Sequence, residues 1–148
     1  MGYTSMTYKQ CFERGLLRKA TIENEEILHQ LEIAENYIKK AESICRNETF
    51  DMSFLASYIS IFHSARALLY TKGYKERSHF CLFEFIRNEF KNNKEIARFA
   101  EIGQNYRETR HKIQYDGSLC SEDSAKEAID DAKEFLKKAK ILCTNKQL

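Results

Sequence analysis

The sequence predicts an all-α fold, an antiparallel up-and-down bundle of four to five long helices plus a short N-terminal helix. The 148 residues include no proline and only five glycines, so few positions interrupt a helix. Apolar residues recur at spacings of three and four, and no segment shows the sustained alternation of a strand. This length fits a single domain over 1–148, with a core predicted at about 22–142.

The first half of the chain contains three predicted helices. A short helix is predicted over 7–19, and Thr21 is a candidate N-cap for a second helix over about 22–46, whose apolar residues form one face. Asp51 is a candidate N-cap for a third helix over about 52–72. This third helix is the most apolar, with small residues between large ones, so we expect it at the centre of the bundle.

The second half of the chain contains three further predicted helices, over about 76–91, 94–114 and 122–142. Ser121 is the candidate N-cap of the last one, and two acidic residues follow it in the first turn. Lysines gather at the other end of this helix, where the helix dipole favours positive charge.

Composition and charge narrow the function classes. The net charge of +2 gives no reason to expect bulk nucleic-acid binding, so such a role needs a local patch. No apolar run approaches the roughly 20 residues that span a bilayer, and the N-terminal stretch lacks a signal-peptide pattern. We therefore expect a cytoplasmic protein without a membrane partner. The five cysteines are widely spaced with no C-x-x-C pair, and we expect them to be reduced, buried apolar side chains.

Three of the four histidines lie three residues after a glutamate, the E-x-x-H spacing that binds two iron ions in some helical bundles. The pairs are Glu26–His29, Glu76–His79 and Glu108–His111. Their positions argue against a metal, because the first lies off the apolar face, the second opens a helix, and bases that repel a dication flank the third. We expect neither a metal site nor another cofactor.

The stretch RETRHKIQYDG, which begins at residue 107, is the strongest candidate site. On a helix, Arg107, Arg110 or His111, and Tyr115 share a broad face. Guanidinium groups fit phosphate oxygens, an imidazole transfers protons near neutral pH, and a phenol can stack on a base. A basic helix end that interacts with its own dipole explains the same residues. Residue chemistry alone leaves a site and a solvated helix end as equal alternatives.

Two polar residues of the most apolar helix form a second candidate group. A buried Arg66 needs a partner, because a stranded charge destabilises the fold by several kcal/mol. With His63, it is expected either to satisfy an internal ion pair or to support a nearby site.

The segment SYISIFHSARALLYTKGYKERSHFCLFEFIRNEF, followed by RHKIQYD, resembles the HEPN family of small helical nucleotide-binding domains. The likeness covers roughly 22–142 and is closest to the stand-alone prokaryotic branch. Its motifs match residues 57–69, Gly73, 77–79 and 110–116. The resemblance implies an up-and-down bundle that usually forms a homodimer and a link to toxin–antitoxin systems. Some members are neutralised by a small nucleotidyltransferase, which modifies a tyrosine just past the motif.

This sequence departs from the family's nuclease pattern. Many HEPN members are metal-independent endoribonucleases that use R-x(4–6)-H, but Tyr115 stands where that histidine would follow Arg110. His111 directly follows Arg110, and its spacing from Arg107 is one residue short. The resemblance therefore implies a binding site with supporting residues. The binding residues are Arg107, Arg110, Tyr115 and Asp116, and the supporting residues are His63, Arg66 and His79.

Two functions from different classes follow. The first is a binding module of toxin–antitoxin type, which binds the phosphate of a nucleotide or RNA or pairs with a small nucleotidyltransferase. The alternative is an endoribonuclease toxin, in which Arg110 stabilises charge on the phosphate and His111 or Tyr115 transfers protons.

The phenylalanines of the fourth helix predict the assembly. They spread around more than one face, and a single core-facing stripe cannot bury them all. The four are Phe80, Phe83, Phe85 and Phe90. We expect a homodimer packed through parts of helices three to five, with the two Arg110 sites facing each other. The alternative is a monomer whose extra aromatic residues pack under the N-terminal helix.

Overall fold

The computed structural model describes residues 6–147, and the architecture of this part confirms the all-α prediction. Residues 1–5, which begin the stretch without a signal-peptide pattern, lie outside it. None of the helices between residues 6 and 147 combines the length and apolar character needed to cross a membrane. The helices are α1 (Tyr8–Glu13), α2 (Asn24–Arg46), α3 (Phe50–Thr71), α4 (His79–Glu89), α5 (Lys94–Asp116) and α6 (Glu122–Gln147), and two strands, β1 (Leu17–Lys19) and β2 (Tyr74–Glu76), join them.

Helix α3 lies at the centre of the bundle, as its composition predicts. It packs most extensively on α2 and α6 and also contacts α4 and α5. Its small residues let α2 approach closely, and the Ser53 and Ser60 hydroxyls donate to the α2 carbonyls of Ala41 (2.7 Å) and Ala34 (2.8 Å). Both serines are buried, so these bonds satisfy polar groups inside the core.

Helices α4 and α5 meet at Gly103. A Cβ atom at this position would overlap the ring of Phe83, which is fully buried and has no room to withdraw. The missing side chain of Gly103 therefore sets the separation of the two helices.

The prediction for the N-terminal helix was wrong at its end. Instead of continuing to residue 19, α1 stops at Glu13, and Gly15 adopts a φ of 70°, which a helix does not allow. The chain then forms β1, which pairs antiparallel with β2 and sets Leu17 opposite Glu76. Each strand has three residues, too few for a pattern of alternation. Because β2 takes residues 74–76, α4 begins later than predicted.

Two helix starts also differ from the predictions. The N-cap of α2 is Glu23 rather than Thr21, because its backbone N–H already bonds the glutamate three residues on. The N-cap of α3 is Thr49, which leaves Asp51 in the first turn. At the start of α6, the Ser121 hydroxyl accepts the N–H three residues later at 3.1 Å, as an N-cap does.

The expectation that all five cysteines are reduced was wrong. Cys11 of α1 and Cys81 of α4 form a disulfide, with Cα atoms 5.7 Å apart and both side chains fully buried. The bond closes a loop across 70 residues and, by chain entropy, raises the free energy of unfolding by about 4 kcal/mol. Cys143 is a buried thiol as expected, whereas Cys45 and Cys120 are half-buried. Spacing alone did not predict the pair, because the two cysteines are 70 residues apart in the sequence and meet through the contact of α1 with α4.

The aromatic residues of the α4 region are accommodated within one chain. Phe83 and Phe85 are buried, and the ring centroid of Phe85 lies 5.1 Å from that of Tyr74 and 6.4 Å from that of Tyr8. The other two phenylalanines are half-buried. Phe85 packs under the N-terminal helix, as the monomer alternative describes, whereas Phe83 packs against Tyr58 of α3, so the aromatic excess by itself does not require a dimer.

Candidate functional site

A small pocket opens where the middle of α3, the first turn of α4 and the C-terminal half of α5 meet. Its volume is about 220 Å³, below the size of a typical drug-sized ligand site. One wall is apolar, and the other carries nitrogen donors from three helices. The lining residues are Leu55, Tyr58, Ile59, Phe62, His63, His79, Arg110 and Gln114.

Arg110 is the charged residue of this pocket. Its guanidinium carbon lies 5.3 Å from the centroid of the Tyr58 ring. Its Nε atom is buried and has no hydrogen-bond acceptor among the described residues. A buried donor without an acceptor destabilises a fold by about 1–3 kcal/mol, and a charged one by more. Such a group is typical of a binding site and untypical of a solvated helix end.

His79, the first residue of α4, is held between two aromatic rings. Its ring stacks on Phe62 with centroids 4.2 Å apart, and its Nδ1 lies 2.7 Å from the Tyr58 hydroxyl. Burial, followed by the positive charges of Arg110, Arg66 and Arg107, lowers its pKa to about 4. The imidazole is therefore neutral at physiological pH, with one nitrogen engaged by the tyrosine and the other left for a ligand.

His63 of α3 lines the same pocket, and its ring lies perpendicular to that of Phe62 with centroids 5.3 Å apart. Its Nδ1 lies 2.6 Å from the side-chain oxygen of Gln30 on α2, and its ring stacks on Tyr37. Burial, and then the nearby Arg66, lower its pKa to about 4. The pocket thus holds two neutral imidazoles and one guanidinium.

Arg66 fulfils the ion-pair alternative of the sequence analysis. Its guanidinium donates twice to the Glu76 carboxylate on β2, at 2.5 and 3.2 Å, and lies 4.6 Å from the centroid of Phe62. Its partner is almost fully buried. Arg66 therefore ties β2 to α3 beside the pocket, and its charge acts on both histidines from outside the lining.

The residues of RETRHKIQYDG divide between two faces of α5. Arg110 lines the pocket, and Arg107 lies next to it, where its Nε donates to Gln104 at 2.9 Å. His111 and Tyr115 lie on the exposed face with ring centroids 4.7 Å apart, and Asp116 is exposed as well. The structure therefore joins Arg110 to the two supporting histidines, keeps Arg107 beside it, and places His111, Tyr115 and Asp116 on another face of α5.

Sequence reasoning missed Tyr58, which is 1% exposed and lies between Arg110 and His79. Burial raises the pKa of its phenol well above the usual value, so the hydroxyl keeps its proton. The only signal was its place four residues before Phe62 and eight before Arg66 on one helix face. An apolar helix gives many such positions, so this spacing does not single it out.

Two of the three E-x-x-H glutamates have other partners. Glu76 binds Arg66, and Glu26 binds Lys75 at 3.2 Å, while His29 lies 3.9 Å from Glu32 at the surface. Among residues 6–147, no three potential metal-ligating side chains gather at one point. The pairs that resemble a di-iron motif in the sequence are thus dispersed over the fold.

Comparisons with known proteins agree with this architecture. The sequence model of the HEPN domain matches residues 27–142. Two proteins of Methanocaldococcus jannaschii are similar to the chain. "Putative toxin MJ0605" is 29% identical over 117 residues, which cover 78% of this chain and 87% of that protein. "Putative toxin MJ0142" is 26% identical over 123 residues, which cover 80% and 82%. The match spans α2 to α6 and every residue that lines the pocket, and the chain belongs to the HEPN domain family.

Proposed function

We propose that this chain is a toxin-type HEPN protein whose pocket binds a phosphate group of a nucleotide or RNA at Arg110. The observation that carries the proposal is the buried Arg110 Nε, which has no acceptor among the described residues. The names of the two similar proteins support the toxin type.

The chemistry of the pocket favours an anion with several oxygens. A guanidinium presents donors in a fixed fork that matches phosphate oxygens, and a neutral imidazole adds one N–H donor. His79 supplies such a donor from Nε2 when the Tyr58 hydroxyl donates to its Nδ1, whereas the N–H of neutral His63 is on Nδ1 and donates to Gln30. No acidic side chain lines the pocket. The apolar wall of Leu55 and Ile59 suits the sugar or base attached to the phosphate.

The size of the pocket favours part of a larger molecule. About 220 Å³ is less than the 300–1,000 Å³ of sites that enclose a drug-sized ligand. A phosphate with its ribose fits this scale, and the remainder of a nucleotide or RNA chain extends along the outside. We therefore expect short RNA and mononucleotides to bind with similar strength per phosphate.

Calorimetry of the full chain in phosphate-free buffer tests this site. The titrants are inorganic phosphate, AMP and a short single-stranded RNA. Replacing Arg110→Gln removes a charged donor pair worth about 1.5–3 kcal/mol, so each Kd should rise roughly tenfold or more. The matched control is Arg98→Gln, an exposed arginine on the same helix that lies outside the pocket. Equal affinities of the two variants, or no binding by the unmodified chain, would refute the proposal.

A small nucleotidyltransferase is the protein partner that we propose. Tyr115 lies in the last turn of α5 and is 71% exposed, so an enzyme can reach its hydroxyl without unfolding the helix. In the modification, the tyrosine oxygen attacks the α-phosphate of a nucleoside triphosphate, the phenol proton is lost, and pyrophosphate leaves.

Mass spectrometry tests this partnership directly. The chain is incubated with ATP, Mg²⁺ and a minimal nucleotidyltransferase, taken from a neighbouring gene where one is present, and its mass should rise by one or more nucleoside monophosphates. Tyr115→Phe should abolish the gain, whereas Tyr70→Phe, a half-buried tyrosine of α3, should not. An unchanged mass together with no complex on a sizing column would remove the partner from the proposal.

We also propose a homodimer packed through parts of α3 to α5, with the two Arg110 pockets facing each other. Support comes from the pocket mouth, where Leu55 and Ile59 are only half-buried and leave apolar surface beside the site. Light scattering at micromolar concentration should give twice the chain mass, and Ile59→Glu should halve it. A monomer mass for the unmodified chain would contradict this assembly.

A further inference from the structure

We propose that a basic cleft at the turn between α4 and α5 binds the backbone of the same RNA strand whose phosphate lies at Arg110. This inference rests on the proposed phosphate pocket and names its substrate class, a single-stranded RNA of several nucleotides. It assigns a second binding surface to residues 87–101, which lie between the motif at 77–79 and the motif at 110–116.

The cleft is lined mainly by positive side chains from the end of α4, the following turn and the start of α5. Its volume is about 470 Å³, and four exposed bases line it, namely Arg87, Lys91, Lys94 and Arg98. Glu101 adds one acid to the lining. Positive charge is therefore in excess within the cleft, and the four bases repel one another in the free chain.

The fold offers little compensation for this charge. Among the described residues, Lys91, Lys94 and Arg98 form no ion pair, and the first-turn acid Glu95 binds Lys138 of α6 at 3.3 Å instead. Lys94 lies in the first turn of α5, the end of a helix at which the dipole disfavours positive charge. The stability of the helix therefore does not account for the cluster, whereas a bound polyanion would neutralise it.

A row of contacts between α4 and α5 connects the cleft to the Arg110 pocket. The buried Glu84 accepts from Arg87 at 2.7 Å and from the side-chain amide of Gln104 at 3.2 Å. Gln104 in turn accepts from the Nε atom of Arg107 at 2.9 Å. Arg107 lies one turn before Arg110, so the two positive sites lie at opposite ends of this row.

The separation of the two sites sets the length of RNA that reaches both. Arg98 and Arg110 are twelve positions apart on α5, which corresponds to about 18 Å along the helix axis. A stacked strand advances about 3.4 Å per nucleotide, so about five nucleotides connect the sites. AMP or a trinucleotide can therefore occupy one site at a time, whereas a ten-nucleotide RNA reaches both.

The character of the lining favours a nucleic acid over a protein partner. The core of a protein–protein interface is rich in apolar and aromatic side chains, whereas Ala97 is the apolar residue that lines this cleft. Interfaces with nucleic acids are more polar and more positively charged. The net charge of the chain is only +2, so the cleft concentrates positive charge in one place, as a local nucleic-acid site requires.

Calorimetry of the full chain with single-stranded RNAs of 3, 5, 7 and 10 nucleotides tests the cleft. Affinity should rise about tenfold or more once the strand reaches both sites, because the second contact is then intramolecular. The double variant Lys91→Gln/Lys94→Gln should raise the Kd of the ten-nucleotide RNA about tenfold and reduce the slope of log K against log salt by about 1.4. The Kd values of AMP and the trinucleotide should not change.

The matched control is the double variant Lys39→Gln/Lys40→Gln, which removes two exposed lysines of α2, a helix that packs on α3 and α6. Its Kd for every RNA should stay within about twofold of the unmodified value. In the phosphate titration the RNA is limited to three nucleotides, so Arg98→Gln remains a control there. With ten nucleotides, Arg98→Gln should weaken binding as the Lys91→Gln/Lys94→Gln variant does. Thermal unfolding verifies that each variant is folded.

The outcomes separate this inference from the phosphate pocket. Equal losses in the two double variants, or equal affinities for 3 and 10 nucleotides, overturn it and leave the pocket intact. A ten-residue polyglutamate peptide that displaces the RNA with the same affinity overturns the choice of RNA in favour of an acidic protein segment. If AMP and the trinucleotide do not bind, the proposed function fails, and ten-nucleotide binding that still requires Lys91 and Lys94 supports the cleft by itself.

Discussion

The four histidines divide into a pair in the pocket and a pair on the exposed surface. His63 and His79 line the pocket and both contact Phe62, and burial and nearby arginines lower both pKa values to about 4. His29 and His111 lie exposed on α2 and α5. One pocket histidine and both exposed histidines belong to E-x-x-H motifs, so the motif does not distinguish pocket histidines from exposed ones. The packing of helices distant in sequence decides which imidazole can act on a buried ligand.

The largest expected effect on the free energy of unfolding comes from removing the ring of Phe62, which contacts both pocket histidines. Phe62 is 6% exposed, so Phe62→Ala should lower the free energy of unfolding by about 3–5 kcal/mol. Phe12→Ala, at a ring that is 36% exposed, should lower it by about 1 kcal/mol. Urea unfolding curves measure both. Similar losses in the two variants would mean that Phe62 does not hold the pocket together.

A smaller expected effect is on the stability of the fold at acidic pH, to which His63 and His79 contribute. A histidine with a pKa of about 4 in the folded chain and 6.5 when unfolded takes up its proton mainly on unfolding. Its contribution to stability is full above pH 6.5 and is lost as the pH falls from 6.5 to about 4. The double variant His63→Gln/His79→Gln should therefore flatten the loss of stability in this window.

The matched control for acid stability is the double variant His29→Gln/His111→Gln, which changes only exposed histidines. Its melting temperature should follow the pH as that of the unmodified chain does. Equal slopes for the two double variants between pH 4 and 6.5 would contradict the contrast between buried and exposed histidines.

The smallest expected effect is a change in the pKa values of His63 and His79 when a ligand binds in the pocket. Phosphate beside Arg110 opposes the positive charges there, so it should raise the pKa of His79 and His63 by about one unit. NMR titration of the histidine Cε1 protons measures this with and without phosphate. The exposed pair should not respond, and Arg110→Gln should abolish the shift. Equal shifts at all four histidines would indicate a general salt effect.

The helices could be predicted from the sequence because each one has a local signature. The single apolar face of α2 and the mixture of small and large residues in α3 follow directly from side-chain periodicity. The two strands could not be predicted, because three-residue segments depend on a partner far away in the sequence, as Leu17 and Glu76 illustrate. The disulfide between Cys11 and Cys81 joins residues 70 positions apart and was equally hidden.

Most residues of the candidate site could be identified from the sequence, but their proximity in the folded chain could not. Each of three pocket residues had its own signal in the sequence. Arg110 lies in a basic helix end, His63 is a polar residue in an apolar helix, and His79 belongs to a motif of the family resemblance. Their meeting depends on the contact of α3, α4 and α5, which no local pattern encodes. Tyr58 carried only its place on the helix face of Phe62 and Arg66 as a signal, and a tyrosine in an apolar helix is usually a core residue.

Gly103 influences the geometry of the pocket although it does not line it. It lies two turns before Arg110 on α5 and fixes how near α4 comes, while His79 heads α4. A methyl group at this position would wedge the two helices apart and widen the gap between the imidazole and the guanidinium. The shape of the pocket therefore depends on a residue that does not line it, because a side chain at position 103 would overlap the Phe83 ring.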